Sequence, residues 1–110
     1  MDVVRSTLLV NMDEYEFQAV QRALSEPKRF EILELLRRDG ATCSTTCADL
    51  QSKVGLSQST FSHHISRLAD ANLVGREMEG RFARLWVNES VVAEYLAELQ
   101  KKLLGSPNAL

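Results

Sequence analysis

The chain has 110 residues, 45% of them apolar and 25% charged, which predicts one domain over 1–110 with one core and leaves no room for two. A net charge of −2 and a pI near 5.7 exclude a strongly basic nucleic-acid coat, which needs many phosphate-neutralising Lys and Arg. No apolar run approaches the roughly 18 residues of a membrane span and Met1 to Met12 lacks a signal-peptide core, so a cytoplasmic protein without membrane contact is expected.

Residues 1–11 hold Val3, Val4, Leu8, Leu9 and Val10 with few caps, and read either as a frayed arm or as the start of a longer helix. Asp13 is an expected N-cap, and Tyr15, Phe17, Val20, Ala23 and Leu24 give a loose apolar stripe through a first helix ending near Ser25. Ser25-Glu26-Pro27 is a break and restart, since Pro favours the first helical position. The second helix, Lys28 to about Arg38, presents Phe30, Leu33 and Leu36 with Ile32 and Leu35 beside them. Asp39-Gly40 stops it.

Thr45 or Thr46 caps a short third helix to about Lys53, with Cys47, Leu50 and Val54 inward, and Gly55 ends it. Leu56 to Asn72, LSQSTFSHHISRLADAN, is the segment that carries chemistry. Ser57 is the expected N-cap of a helix running from Gln58 to about Asn72, in which Phe61, Ile65 and Leu68 share one stripe. The opposite face shows Ser59, Ser62, His63, Ser66 and Arg67. From Ser57 to Ser66 there is no Lys, Arg, Asp or Glu, whereas a merely solvated helix normally carries paired charges. Short hydroxyl and amide side chains near a helix N-terminus suit phosphates and base edges, so Ser57, Gln58, Ser59, Thr60, Ser62, His63 and Arg67 are expected to contact double-stranded DNA. The wheel places His64 beside the core stripe, where a packed, hydrogen-bonded role is expected.

Beyond Asn72 the period changes. Leu73 to Met78 and Arg81 to Val87 are strand-like runs around Glu79-Gly80 and predict a hairpin. A short helix, a Gly-containing turn, a longer helix and such a hairpin make a winged helix-turn-helix, with Arg81 and Arg84 as expected DNA contacts of the wing. Asn88 is the expected cap of a last helix, Glu89 to Leu104, striped by Val92, Leu96, Leu99 and Leu103. The expected order is thus α-α-α-α-β-β-α, mainly α with a small β-hairpin. The terminal helices, about 13–25 and 89–104, bring apolar faces to one end, which predicts a homodimer, since readers of this kind meet a palindrome as a two-fold pair. From Pro27 to Trp86 nine Lys/Arg stand against seven Asp/Glu, a balance of +2, while the ends carry −4, which accords with a DNA-facing middle on an acidic dimer layer.

Three segments resemble the ArsR/SmtB family of bacterial winged-helix repressors: ALSEPKRFEILELL, ADLQSKVGLSQSTFSHHISRLADANLV and EGRFARLWV. They span about Ala23 to Val87. The resemblance implies a homodimer joined by its first and last helices, bound to an imperfect inverted repeat and repressing until an inducer arrives. It also implies DNA contact by Ser59, Ser62 and His63.

The family's inducer motifs are not matched. Its thiolate site is a Cys-x-Cys-[Asp/Glu]-Leu run, and alignment on Asp49-Leu50 puts Thr46 and Ala48 at the cysteine places, with Cys47 between them and Cys43 upstream. Its zinc site needs His and Asp on the last helix, and Glu89 to Leu104 has neither. No cofactor and no tightly held metal are expected. The alternative is a thiophilic ion or an oxidation at Cys43 and Cys47, four residues apart. Two other readings compete: a winged-helix protein-interaction module without DNA binding, suggested by the acidic pI, and an enzyme. The enzyme reading is the weakest, because Ser62-His63-His64 lies on one helix with no carboxylate to orient a base.

Overall fold

The computed structural model describes residues 12–39, 45–80 and 82–105. The expectations for residues 1–11, Cys43 and Arg81 lie outside them. The elements are α1 (Glu14–Leu24), α2 (Pro27–Asp39), β1 (Thr45–Thr46), α3 (Cys47–Val54), α4 (Gln58–Asp70), β2 (Val74–Glu79), β3 (Phe82–Val87) and α5 (Glu89–Leu104).

Local chemistry explains the helix starts. Asp13 and Glu16 form a reciprocal capping box on α1, with Glu16 N–H donating to Asp13 Oδ1 at 2.7 Å and Asp13 N–H to Glu16 Oε1 at 3.0 Å. Pro27 takes the first position of α2, and the Glu26 carboxylate accepts from the N–H groups of Lys28 at 2.7 Å and Arg29 at 3.3 Å. Thr46 caps α3 and Ser57 caps α4 through their hydroxyls, as expected. Gly55 ends α3 at φ 69°, a left-handed conformation that a side chain would strain.

The wing is a two-stranded antiparallel ribbon in register from Val74↔Val87 to Glu79↔Phe82. Two residues connect the strands, the first of them Gly80 at φ 64°. A third strand was not expected. Thr45 and Thr46 pair with Leu85 and Arg84, giving the sheet order β1-β3-β2 and the chain order α-α-β-α-α-β-β-α. Two residues are too few to show a period of two, which is why the segment reads only as a helix cap in the sequence.

One core cluster joins these layers, with Ile32, Leu36, Leu50, Leu68, Leu73, Leu85 and Val20 as its most buried members. The centre of the buried face of α2 is Ile32 and Leu36, whereas Phe30 is 48% exposed, contrary to the expected stripe. Five apolar positions over seven residues cover half the helix, so periodicity alone does not say which edge turns to solvent.

α5 departs most from a core helix, because none of its residues is buried. Val91, Val92, Tyr95 and Leu99 pack partly against the core, while Leu96 is 56% and Leu103 73% exposed. It meets α1 through the Phe17 and Tyr95 rings, tilted by 30° with 5.1 Å between centroids, and through Lys102, whose Nζ lies 2.8 Å from Glu14 Oε1 and 4.9 Å from the Phe17 ring centre. Among the described residues no helix is long and apolar enough to cross a membrane.

Candidate nucleic-acid interface

Most of the expected DNA contacts lie on α4 and its cap. Ser57 begins it: its Oγ accepts from the Thr60 N–H at 3.3 Å and donates to Thr60 Oγ1 at 3.0 Å, so these two hydroxyls are held in place by each other. The inner stripe is Phe61, Ile65 and Leu68, each no more than 2% exposed, as the spacing predicts. The outer face holds Ser57, Gln58, Ser59, Thr60, Ser62, His63 and Arg67, all exposed. The structure therefore brings seven of the nine expected residues onto one helix face and its cap. Arg84 is half-buried on β3, opposite Thr46 on one side and Glu77 on the other. α3 stands before α4 across Gly55, and Gln51 Nε2 donates to Leu56 O at 3.2 Å, bracing the turn between them.

The end of α4 differs from expectation by two residues. The helix stops at Asp70 because Asn72 adopts φ 63°, the Asn72 N–H turns back to Ala69 O at 2.9 Å and the Leu73 N–H to Leu68 O at 3.0 Å. This bond pair is a Schellman motif with Asn in place of the usual Gly, and the apolar Leu68 and Leu73 that accompany it are both fully buried. The Asn88 side chain does not cap α5 as expected. Its Nδ2 donates instead to Asn72 O at 2.9 Å, and the Asn88 N–H donates to Leu73 O at 2.9 Å. A second pair of bonds thus ties the end of α4 to the start of α5.

His64 is 8% exposed, the only buried polar residue among those described, in keeping with its place on the wheel. Arg29 supplies its partner. Arg29 Nε donates to Ala23 O at 2.7 Å and Nη1 lies 3.3 Å from His64 Nδ1. A guanidinium only donates, so Nδ1 must be the acceptor and the ring proton sits on Nε2, which is 4.0 Å from Glu26 Oε1. Burial pushes the His64 pKa down. Glu26 opposes that shift, while Arg29 and His63 add to it. Arg29 therefore links α1, α2 and α4, a role that reading the residues one element at a time misses. Its signal was present, since it lies inside the ALSEPKRFEILELL segment.

Cys47 is half-buried, and burial pushes its thiol pKa up against the opposing pull of Arg76. Together with Gln51, Gln58, Ser62, Arg76 and Met78 it lines a cleft of about 370 Å³ between α3, α4 and the wing. Among the described residues no three His, Cys, Asp or Glu side chains stand together as metal ligands would.

A short helix, a braced turn, a second helix with an exposed polar face and an antiparallel wing define a winged helix-turn-helix, a fold of DNA-binding regulators. Residues 24–76 match a helix-turn-helix domain family. The chain is 33% identical over 98 residues to the arsenical resistance operon repressor of Bacillus subtilis (strain 168), covering 89% of this chain and 86% of that one. In fold it is similar to a crystal structure of an ArsR family transcriptional regulator, with a TM-score of 0.72 at 20% identity over 84% of this chain and 91% of that one. It is also similar to a Mycobacterium bovis winged helix-turn-helix domain described as homodimeric, with a TM-score of 0.63 at 19% identity over 90% of this chain and 85% of that one. The chain belongs to the ArsR/SmtB family of winged helix-turn-helix transcriptional repressors. It is a DNA-binding transcriptional regulator.

Proposed function

We propose that the protein is a homodimeric repressor that reads an inverted-repeat operator with α4 and is released by an inducer. The observation that carries the reading is the outer face of α4, where Ser59, Ser62 and His63 are exposed and no carboxylate interrupts the surface from Ser57 to Ser66. Ser57, Gln58 and Thr60 at the helix start approach the groove floor and its phosphates, Arg67 follows along the strand, and Arg81 and Arg84 serve the wing. The dimer forms through the terminal helices, about 13–25 and 89–104, and the exposed Leu96 and Leu103 support this, as does the homodimeric description of the Mycobacterium bovis relative. The chain is one domain in this reading.

Selection of bound fragments from the genome of origin tests the proposal. It should return an inverted repeat whose half-sites lie one helical turn apart, about 10 base pairs centre to centre. Recovery of no enriched sequence, with no salt-dependent binding to any duplex, would instead favour a protein-interaction module.

A second reading concerns the inducer. The Bacillus subtilis relative is named for arsenical resistance, which favours a metalloid-responsive site at Cys43 and Cys47. Against it stands the raised pKa of Cys47, since the thiolate is the ligand and burial disfavours it. Stoichiometric arsenite uptake abolished by Cys47→Ser would establish this second reading. Absence of uptake supports the repressor without a tightly held metal.

A further inference from the structure

The surface between α1 and α4 has a charge pattern that the helix-turn-helix itself does not require. A cleft of about 550 Å³ lies there, lined among others by Tyr15 and Arg22 of α1, Arg29 of α2, and His63, Arg67 and Asp70 of α4. Several cations elsewhere on the described surface face a carboxylate: Arg37 with Glu89 at 3.1 Å, Lys53 with Asp39 at 2.6 Å and Lys102 with Glu14 at 2.8 Å. Arg22 and Arg67 are exposed and have no carboxylate within 4.0 Å among the described residues. Asp70, three residues beyond Arg67 on the same helix and lining the same cleft, is not paired with it. Arg29 is already engaged with Ala23 O and His64, and by those bonds it fixes the end of α1 against α4.

We infer that this cleft is a phosphate clamp, in which Arg22 and Arg67 hold a backbone phosphodiester of the bound DNA. The inference rests on the reading of α4 as the recognition helix. Two guanidiniums beside one cleft, neither paired with a carboxylate among the described residues, suit a phosphate, whose oxygens accept paired N–H donors. A DNA phosphate is favoured over a free anion by His63, which lines the cleft and also stands on the base-reading face, one helical turn before Arg67. A helix lying in the major groove, about 12 Å wide, has strand phosphates on both sides of it, so a guanidinium on an element packed beside that helix comes near the backbone. Arg22 thereby adds α1 to the DNA interface.

The test measures binding of Arg22→Gln, Arg22→Lys and Arg67→Gln to an operator fragment and to a random duplex of equal length across a salt series. Each Gln variant should lower the salt slope by about one per protomer and weaken both duplexes alike by roughly fivefold to tenfold at 0.1 M salt. Arg22→Lys should recover most of the slope, which a loss of packing would not allow. The ratio of operator to random affinity should stay unchanged. A parental slope and affinity for Arg22→Gln would overturn the clamp while leaving the recognition helix intact. Protection of the DNA-free protein against thermal unfolding by inorganic phosphate, lost in Arg22→Gln while DNA binding is kept, would also overturn it by showing a small-anion site. A parent that binds no duplex in a salt-dependent way sinks the recognition-helix reading and the clamp together.

Discussion

Adjacent histidines on α4 provide the sharpest test of how this helix divides its labour. His63→Ala removes an exposed ring that forms no hydrogen bond among the described residues and lies 6.0 Å from the His64 ring, centroid to centroid, so it should change folding stability by no more than about 0.5 kcal/mol. Its effect should fall on the operator, weakening specific binding by roughly 1 to 3 kcal/mol, the usual worth of one good base contact. His64→Ala removes a ring that is 8% exposed and leaves Arg29 Nη1 without its acceptor. Cavity formation and the orphaned donor together should cost about 2 to 4 kcal/mol. For a domain of this size that is a fall in Tm of roughly 10 °C or more. Urea unfolding gives the first quantity and fluorescence anisotropy on a labelled operator the second, with binding measured where both variants remain folded. The reasoning is refuted if His63→Ala loses as much stability as His64→Ala, or if His63→Ala and Ser62→Ala both bind the operator as the parent does.

Stability should also depend on pH through His64. Its pKa is lowered in the folded protein, so the unfolded chain binds the extra proton and stability is complete above the unfolded value near 6.5 and declines as pH falls below it. The decline is at most about 1.4 kcal/mol per pH unit, and chemical unfolding of His64→Gln at pH 5 and pH 8 should show this component gone. Gly75→Ala should destabilise by about 1 to 3 kcal/mol, because the added Cβ would collide with the Trp86 indole across the ribbon. Near-UV circular dichroism of the single Trp should change with it. Leu96→Glu should shift the sedimentation equilibrium to monomer with little effect on the unfolding of the isolated chain, since Leu96 is 56% exposed. Unchanged dimerisation would remove α5 from the interface. Asn88→Ala should cost about 1 kcal/mol by removing the bond to Asn72 O, a loss visible in hydrogen exchange at the end of α4.

The parts of the fold that were legible in the sequence are those governed by neighbours along the chain. Asp13, Thr46 and Ser57 announce helix starts because a cap is a contact between residues two or three positions apart, and Phe61, Ile65 and Leu68 announce a buried stripe because the helical repeat puts them there. What was not legible depends on distant partners. Asn88 looks like a cap, and only the arrival of Asn72 O within reach makes it a tie between two helices. The pairing of Thr45 and Thr46 with β3 depends on residues about forty positions away. Arg22 reads locally only as a last-turn cation of α1, and its sharing of a cleft with Arg67 appears only when α1 is laid beside α4.

Those distant partners determine how firmly the outer face of α4 is held. α4 is held at its middle by Arg29 through His64, which joins it to α1 and α2. At its end it is held by Asn72 and Leu73, which accept from the side chain and the backbone of Asn88. One tie leads to the start of α5, the other to the end of α1, and these are the two helices whose apolar faces meet at the same end of the molecule. A dimer built on α1 and α5 would therefore set the spacing of its two reading helices through a few named bonds rather than through loops. Loss of Asn88 or of Arg29 should then weaken binding to an inverted repeat more than binding to a single half-site, and comparison of the two duplexes with Asn88→Ala checks it. Equal losses on both would mean that α4 is oriented by its core stripe alone.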